Sequence, residues 1–304
     1  MTRVTDLAQF NTALFYLSQT QGRISDEQSQ VSSGIKSQNY TGMAGDASRL
    51  VTMETTHARA TQYTANNTLV AGRLQSMEGS ISQIFDVATD LKTLLVNALN
   101  DQNASSLALS QQADAKLQQV AGLLNTKLDS RYLFAGSRTN TAPVDLAGLP
   151  GSYTIPTANG DSIGYYQGDN FVFSVQADDA LSVDYGVTAD EPGFEKLMRA
   201  LDIVKKSPPT DRAALQHALA VVGDALNEIP DIRTKVGTAQ SMLSEINKRH
   251  ADFQLYTEKA IGDIKNVDAA EVMTKLNADS VSIQASYMAI NKMSQLNLMN
   301  FLRG

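Results

Sequence analysis

Seven-residue spacing at the two ends of the chain limits what this sequence can fold into more than any other feature. Phe10, Leu17, Ile24 and Val31 stand seven apart, Leu14, Gln21 and Gln28 occupy the alternate +4 positions, and Leu7 extends the series backwards. Near the other end Ala269, Leu276, Ile283 and Ile290 repeat with the same period, with Met273, Ser280 and Tyr287 between them. Alternating +4 and +3 steps keep residues on one face of an α-helix, and a heptad held over several turns is the seam of a coiled coil. An amphipathic helix lying on a globular core gives a similar stripe and is the plainer alternative. The C-terminal segment carries a second apolar line, Val281, Ala285 and Met288, so it can touch more than one neighbour. Its apolar end, Leu296 to Leu302, is one that a lone soluble monomer would rarely expose. The two terminal segments are therefore expected to pair, with Gln21, Gln28 and Ser280 weakening the pair while fixing its register. Short isolated helices pay a nucleation cost, so residues 1–34 and 264–304 are expected to be largely disordered in the monomer and to form their antiparallel pair on assembly.

Between the ends the periodicity is helical, with one interruption. Ser32-Ser33-Gly34 stops the first helix, since glycine suits the left-handed cap position, and a polar connector follows to residue 47. Val70, Leu74, Met77, Ile81, Ile84, Ala88, Leu91, Leu95 and Ala98 then form an unbroken +4/+3 stripe. Asn100 to Asn103 predicts a turn, and Leu117, Val120, Leu124 and Leu128 predict a third helix packed antiparallel on the second. From Gly136 to Pro192 proline and glycine concentrate, and short β-branched and aromatic runs predict strands at 153–155, 163–166, 171–175 and 181–185. Helical spacing returns at Phe194, Leu197, Met198, Leu201 and Val204, breaks at Ser207-Pro208-Pro209, and resumes towards residue 264. The expected fold is mainly α: an elongated antiparallel helical bundle or coiled coil with its N- and C-terminal helices paired, plus a small antiparallel β insertion. The expected division is a terminal coiled-coil assembly domain (1–40 with 264–304), a helical shaft (41–137 with 191–263) and a small outward-facing β domain (138–190).

Little in the chain points to catalysis. His57, His217 and His250 are isolated from one another and from carboxylates at metal spacing, and no phosphate-cradling or nucleophile-elbow motif occurs. Asp178, Asp179 and Asp184 lack the twelve-residue calcium-loop pattern. Cysteine is absent, which excludes disulfides, thiolate metal sites and a cysteine nucleophile. A net charge of −7 argues against a nucleic-acid partner. No stretch reaches the roughly 18 uncharged apolar residues of a membrane span, and the start has no charged-then-apolar secretory signal. The expectation is a non-enzymatic chain without cofactor or metal, either cytosolic or leaving the cell by a route that reads no cleavable signal. An assembling subunit and a cytosolic helical binding module remain the two readings.

Several motifs resemble the bacterial flagellin superfamily. Gln28-Ser-Gln-Val-Ser-Ser-Gly34 is similar to its N-terminal Leu-Ser-Ser-Gly element, with Val31 in place of the leucine. Gly45-Asp46-Ala47 stands where the family has Asp-Asp-Pro, a departure that leaves the geometry of that turn open. Ile264-Lys-Asn-Val-Asp268-Ala-Ala-Glu271 and the run from Gln284 to Leu298 resemble the C-terminal flagellin helix. Arg131-Tyr-Leu-Phe-Ala-Gly-Ser137, Tyr166-Gln-Gly-Asp169 and Asn300-Phe-Leu302 resemble the hook–filament junction branch of the superfamily, with filament flagellin as the alternative. The resemblance implies a structural subunit of the flagellum that self-associates in a ring or tube and contacts other axial proteins, a neighbouring hook-associated protein and flagellin. It also implies an export chaperone and extracellular placement without a cleaved signal peptide. The residues expected at the assembly interface are Phe10, Leu14, Leu17, Ile24, Val31, Met273, Leu276, Ile283, Tyr287, Ile290 and Leu298.

Overall fold

A computed structural model describes residues 2–43, 45–100, 106–154 and 163–302, excluding the side chains of 2–7, 106–107, 294 and 296–302. The described residues form six α-helices and four strands. In order these are α1 (Thr2–Ser33), α2 (Ala47–Asn100), α3 (Ser106–Leu124), β1 (Lys127–Leu128), β2 (Arg131–Tyr132), β3 (Phe173–Asp178), β4 (Leu181–Tyr185), α4 (Pro192–Lys206), α5 (Arg212–Lys265) and α6 (Ala269–Leu302). The chain divides into two compact units, 1–58 with 254–304 and 59–253.

The larger unit is built on the α2 stripe. Val70, Leu74, Met77, Ile81, Ile84, Ala88, Leu91 and Leu95 are all buried, and Ala98 packs at the edge of the same core. Leu117, Val120 and Leu124 of α3 complete that core with Phe194, Leu197, Met198, Leu201 and Val204 of α4. Two polar ties, Lys116 of α3 to Asp90 at 2.9 Å and Thr126, two residues past the end of α3, to Ser80 at 3.3 Å, pair rising numbers on one segment with falling numbers on α2, so these helices are antiparallel as expected. Of the turn expected between them, 101–103 lies outside the described residues.

The insertion departs from the expected strands. Among the described residues only β3 and β4 form there, as an antiparallel hairpin pairing Phe173 with Tyr185 and Val175 with Val183. Residues 153–154 form no strand, Ile155 lies outside the described residues, and 163–166 contributes a single bridge, Tyr166 to Val144. The physical reason is burial: Ile163 and Tyr165 plug the helical core, and the Tyr165 hydroxyl donates to the Ala189 carbonyl at 2.6 Å. Gly164 between them has φ +74°, which breaks an extended run. A hairpin that the sequence did not suggest, β1–β2, turns through Asp129 and Ser130, both at positive φ. The carbonyl of Ala177 on β3 accepts from Asn67 at 3.1 Å and lies 2.9 Å from His250 Nε2, which anchors the β3–β4 hairpin to α2 and α5.

Two of the three junction-like motifs meet in space. Asp169 accepts from the Ser137 backbone at 2.7 Å, from the Ser137 hydroxyl, and from the Phe171 amide at 3.2 Å. Its carboxyl lies below the ordinary range, chiefly because the Ser137 hydroxyl bonds its ionised form. Gly136, at φ +60°, sits where a Cβ would lie 2.1 Å from the Asp169 carbonyl oxygen, so glycine is required. The motif spacing records a loop-to-loop clasp.

The paired terminal helices as candidate assembly site

Local sequence closes the smaller unit. Gly34 adopts φ +72° and ends α1, its amide donating to the Gln30 carbonyl at 2.8 Å. The next residues bridge to the α5–α6 connection: the Lys36 amide donates to Lys265 at 2.7 Å, and the Val267 amide to Gly34 at 3.0 Å. Asp268 then starts α6, its Oδ1 accepting from the Ala270 and Glu271 amides at 2.9 and 3.2 Å. A carboxylate there satisfies helix amides that would otherwise be orphaned. Beside this clasp, Met43, Leu50 and Ile264 form a small core. Glu54 accepts from Tyr40 and Lys265 at 2.7 and 3.0 Å. The Tyr40 hydrogen bond, and then Lys265, hold the Glu54 carboxyl below its ordinary range. His57 is a packed residue, with Nδ1 2.9 Å from the Thr257 hydroxyl.

From that clasp α1 and α6 pack together. Gln21 donates to the Tyr287 hydroxyl at 2.7 Å, Arg23 bonds Asp279 at 2.7 and 3.2 Å, and Ile35 bridges Asn266, so rising numbers on one helix meet falling numbers on the other. The pair is antiparallel. Its inward line on α1 is Phe10, Ala13, Leu17, Thr20, Ile24, Glu27 and Val31, buried or half-buried. On α6 it is Val272, Leu276, Asp279, Ile283, Ser286 and Ile290.

This places the expected interface residues in two groups. Phe10, Leu17, Ile24 and Val31 face the pair, as do Leu276, Ile283 and Ile290. Leu14, Met273 and Tyr287 are instead exposed; Leu14 is 40% accessible. The intermediate seam positions are therefore Ala13, Thr20 and Glu27 rather than Leu14, Gln21 and Gln28. Both choices lie beside the 10–17–24–31 line, and small Ala13 lets the helices approach where leucine would hold them apart. Tyr287 contributes its hydroxyl at the rim, and the side chain of Leu298 lies outside those described. Sequence reasoning missed Phe15 and Tyr16, which are 66% and 61% exposed and stack edge to face at 5.9 Å. The unbroken run Leu14-Phe15-Tyr16 was the available signal, because three consecutive large apolar residues cannot all face one seam. On α6, Val281 and Met288 of the second apolar line are also exposed.

One charged cluster lies in the seam. Arg23 is committed to Asp279, and Glu27 Oε2 is buried with no hydrogen-bond partner among the described residues. Burial, followed by the neighbouring Asp279 carboxylate, pushes Glu27 up, while the Arg23 hydrogen bond holds Asp279 down. No group of three or more potential metal ligands occurs among the described residues, and no described helix is long and apolar enough to cross a membrane.

Residues 4–139 match the pattern of the bacterial flagellin N-terminal helical region, and residues 219–302 that of the flagellin C-terminal helical region. The chain belongs to the bacterial flagellin superfamily. Flagellar hook-associated protein 3 of Escherichia coli K12 is 24% identical to this flagellin-superfamily chain over 316 residues, 95% of this chain and 98% of that one. A flagellin of Bacillus subtilis 168 is also 24% identical, over 76% of each chain. The solved structure of FlgL from Bacillus cereus shares the fold, with a TM-score of 0.58, 20% identity, and coverage of 69% of this chain and 99% of that one.

Proposed function

We propose that this flagellin-superfamily chain is a structural subunit of the bacterial flagellum that forms the hook–filament junction by polymerising through its paired terminal helices. The observation carrying this reading is that similarity to a hook-associated protein runs nearly end to end, while the similarity to a flagellin covers about three quarters of each chain. The physical basis is the α1–α6 pair: a thin seam whose outer faces keep Leu14, Phe15, Tyr16, Met273, Tyr287, Val281 and Met288 uncovered. Neighbouring subunits would bury the half or so of each side chain still exposed, contributing on the order of 1 kcal/mol apiece. The ten expected interface residues with described side chains then divide between holding the pair together and meeting neighbours. In this reading 1–40 and 264–304 assemble, 41–137 and 191–263 serve as the shaft, and 138–190 faces outward. The partners are further copies of this chain, a neighbouring hook-associated protein, flagellin and an export chaperone. The subunit acts outside the cell on the flagellum, having left without a cleaved signal peptide, and its role is mechanical rather than enzymatic.

Deletion in the parent bacterium tests the role. Bare hooks with flagellin shed into the medium support a junction subunit. Short or missing filaments on an intact junction would make it a filament flagellin instead.

A further inference from the structure

Within the larger unit a groove of about 670 Å³ runs between β4 and one stripe of α5. The five consecutive residues 182–186 line one wall. Successive strand side chains point to opposite faces, so a continuous run along one wall means that the backbone edge of the strand faces the groove. That edge is open: β4 pairs only with β3 among the described residues. The opposite wall is a helix stripe through Asp231, Thr234, Lys235, Thr238 and Met242. Exposed Val172 and Met242 give the groove an apolar part.

Its charge is one-sided. Lys235 is committed to both Glu191 oxygens, at 3.1 and 3.0 Å, which leaves Asp184 and Asp231 without a cation among the described residues. A second copy's β4 is a poor occupant, because edge-to-edge pairing would bring its own Asp184 towards this one. We infer that the groove takes an extended peptide segment of another protein, with alternating apolar and basic residues, as an added strand on β4. The edge would supply backbone hydrogen bonds, the α5 wall would cover the apolar side chains, and the two free aspartates would select the basic ones.

The test uses the full chain and the blocked hexapeptide Thr-Val-Lys-Val-Lys-Thr, with its Glu-for-Lys counterpart as control. Calorimetry reads binding, and amide hydrogen exchange reads protection at 182–186. The expected result is binding of the lysine peptide alone, with slowed exchange at those amides. Asp231→Lys should weaken it about tenfold, the scale of one lost charge pair, and Thr238→Trp should abolish it, with melting temperatures unchanged. If Thr238→Trp fails to fold, exposed Asp231→Lys carries the test alone. Absence of binding, equal binding of the glutamate peptide, or insensitivity to Asp231→Lys overturns the inference. So does protection at 182–186 that rises with protein concentration in the absence of peptide, which would make a second copy the occupant.

Discussion

Leu17 and Leu14 differ by less than one helical turn and have opposite fates. Leu17 is 8% exposed in the α1–α6 seam, and Leu14 faces outward. Leu17→Ala should therefore destabilise the pair by about 2–3 kcal/mol, whereas Leu14→Ala should stay within about 0.5 kcal/mol in the isolated chain. Hydrogen exchange of the α1 amides distinguishes the two, and equal effects would restore the register expected from apolarity alone. Glu27 and Asp279 give the pair a pH signature. Glu27 titrates above its ordinary value when folded, so its contribution is fully present below that ordinary value and fades as pH rises through the folded one. Asp279 titrates below its ordinary value, so its contribution is present above that value and is lost as pH falls through the folded one. Helicity of the terminal pair should thus peak in mild acid. Glu27→Gln should flatten the loss on the neutral side while leaving the acid limb, as circular dichroism melts across pH would show.

At the scale of elements, two caps and two clasps set the boundaries. Asp268→Ala removes the acceptor that starts α6 and should cost about 0.5–2 kcal/mol, seen as faster exchange at 270–272. Gly136→Ala drives a Cβ into the Asp169 carbonyl and should cost at least about 1–3 kcal/mol in urea unfolding. The long helices were legible in the sequence because α2 buries one uninterrupted stripe from Val70 to Leu95, a period that only a helix satisfies. The β region was less legible. Tyr165 and Ile163 have strand composition but fill a helical core, and a short apolar run cannot reveal what it packs against. The β1–β2 turn uses Asp129 and Ser130, without the glycine that normally announces positive φ. In the terminal pair the lines through Phe10 and Ile283 were readable. The choice of Ala13 over Leu14 was not, because helix approach distance is a property of two surfaces rather than one sequence.

At the scale of the whole molecule, the two ends of the chain fold together. Gly34 and Val267 bond directly, so the N-terminal helix has its partner within the same chain. The outer faces of the pair remain uncovered, and the account makes them the surfaces on which further subunits build. Phe15→Asp should leave the melting temperature of the isolated chain unchanged while reducing its incorporation into flagella, as immunolabelled micrographs would show. The most direct measurement is electron microscopy of flagella from cells whose only copy carries Ile283→Asp, a charge placed in the α1–α6 seam. The account predicts secreted, soluble subunit, hooks without filaments, and flagellin shed into the medium. Full-length filaments on normal hooks, with the variant incorporated, would contradict it.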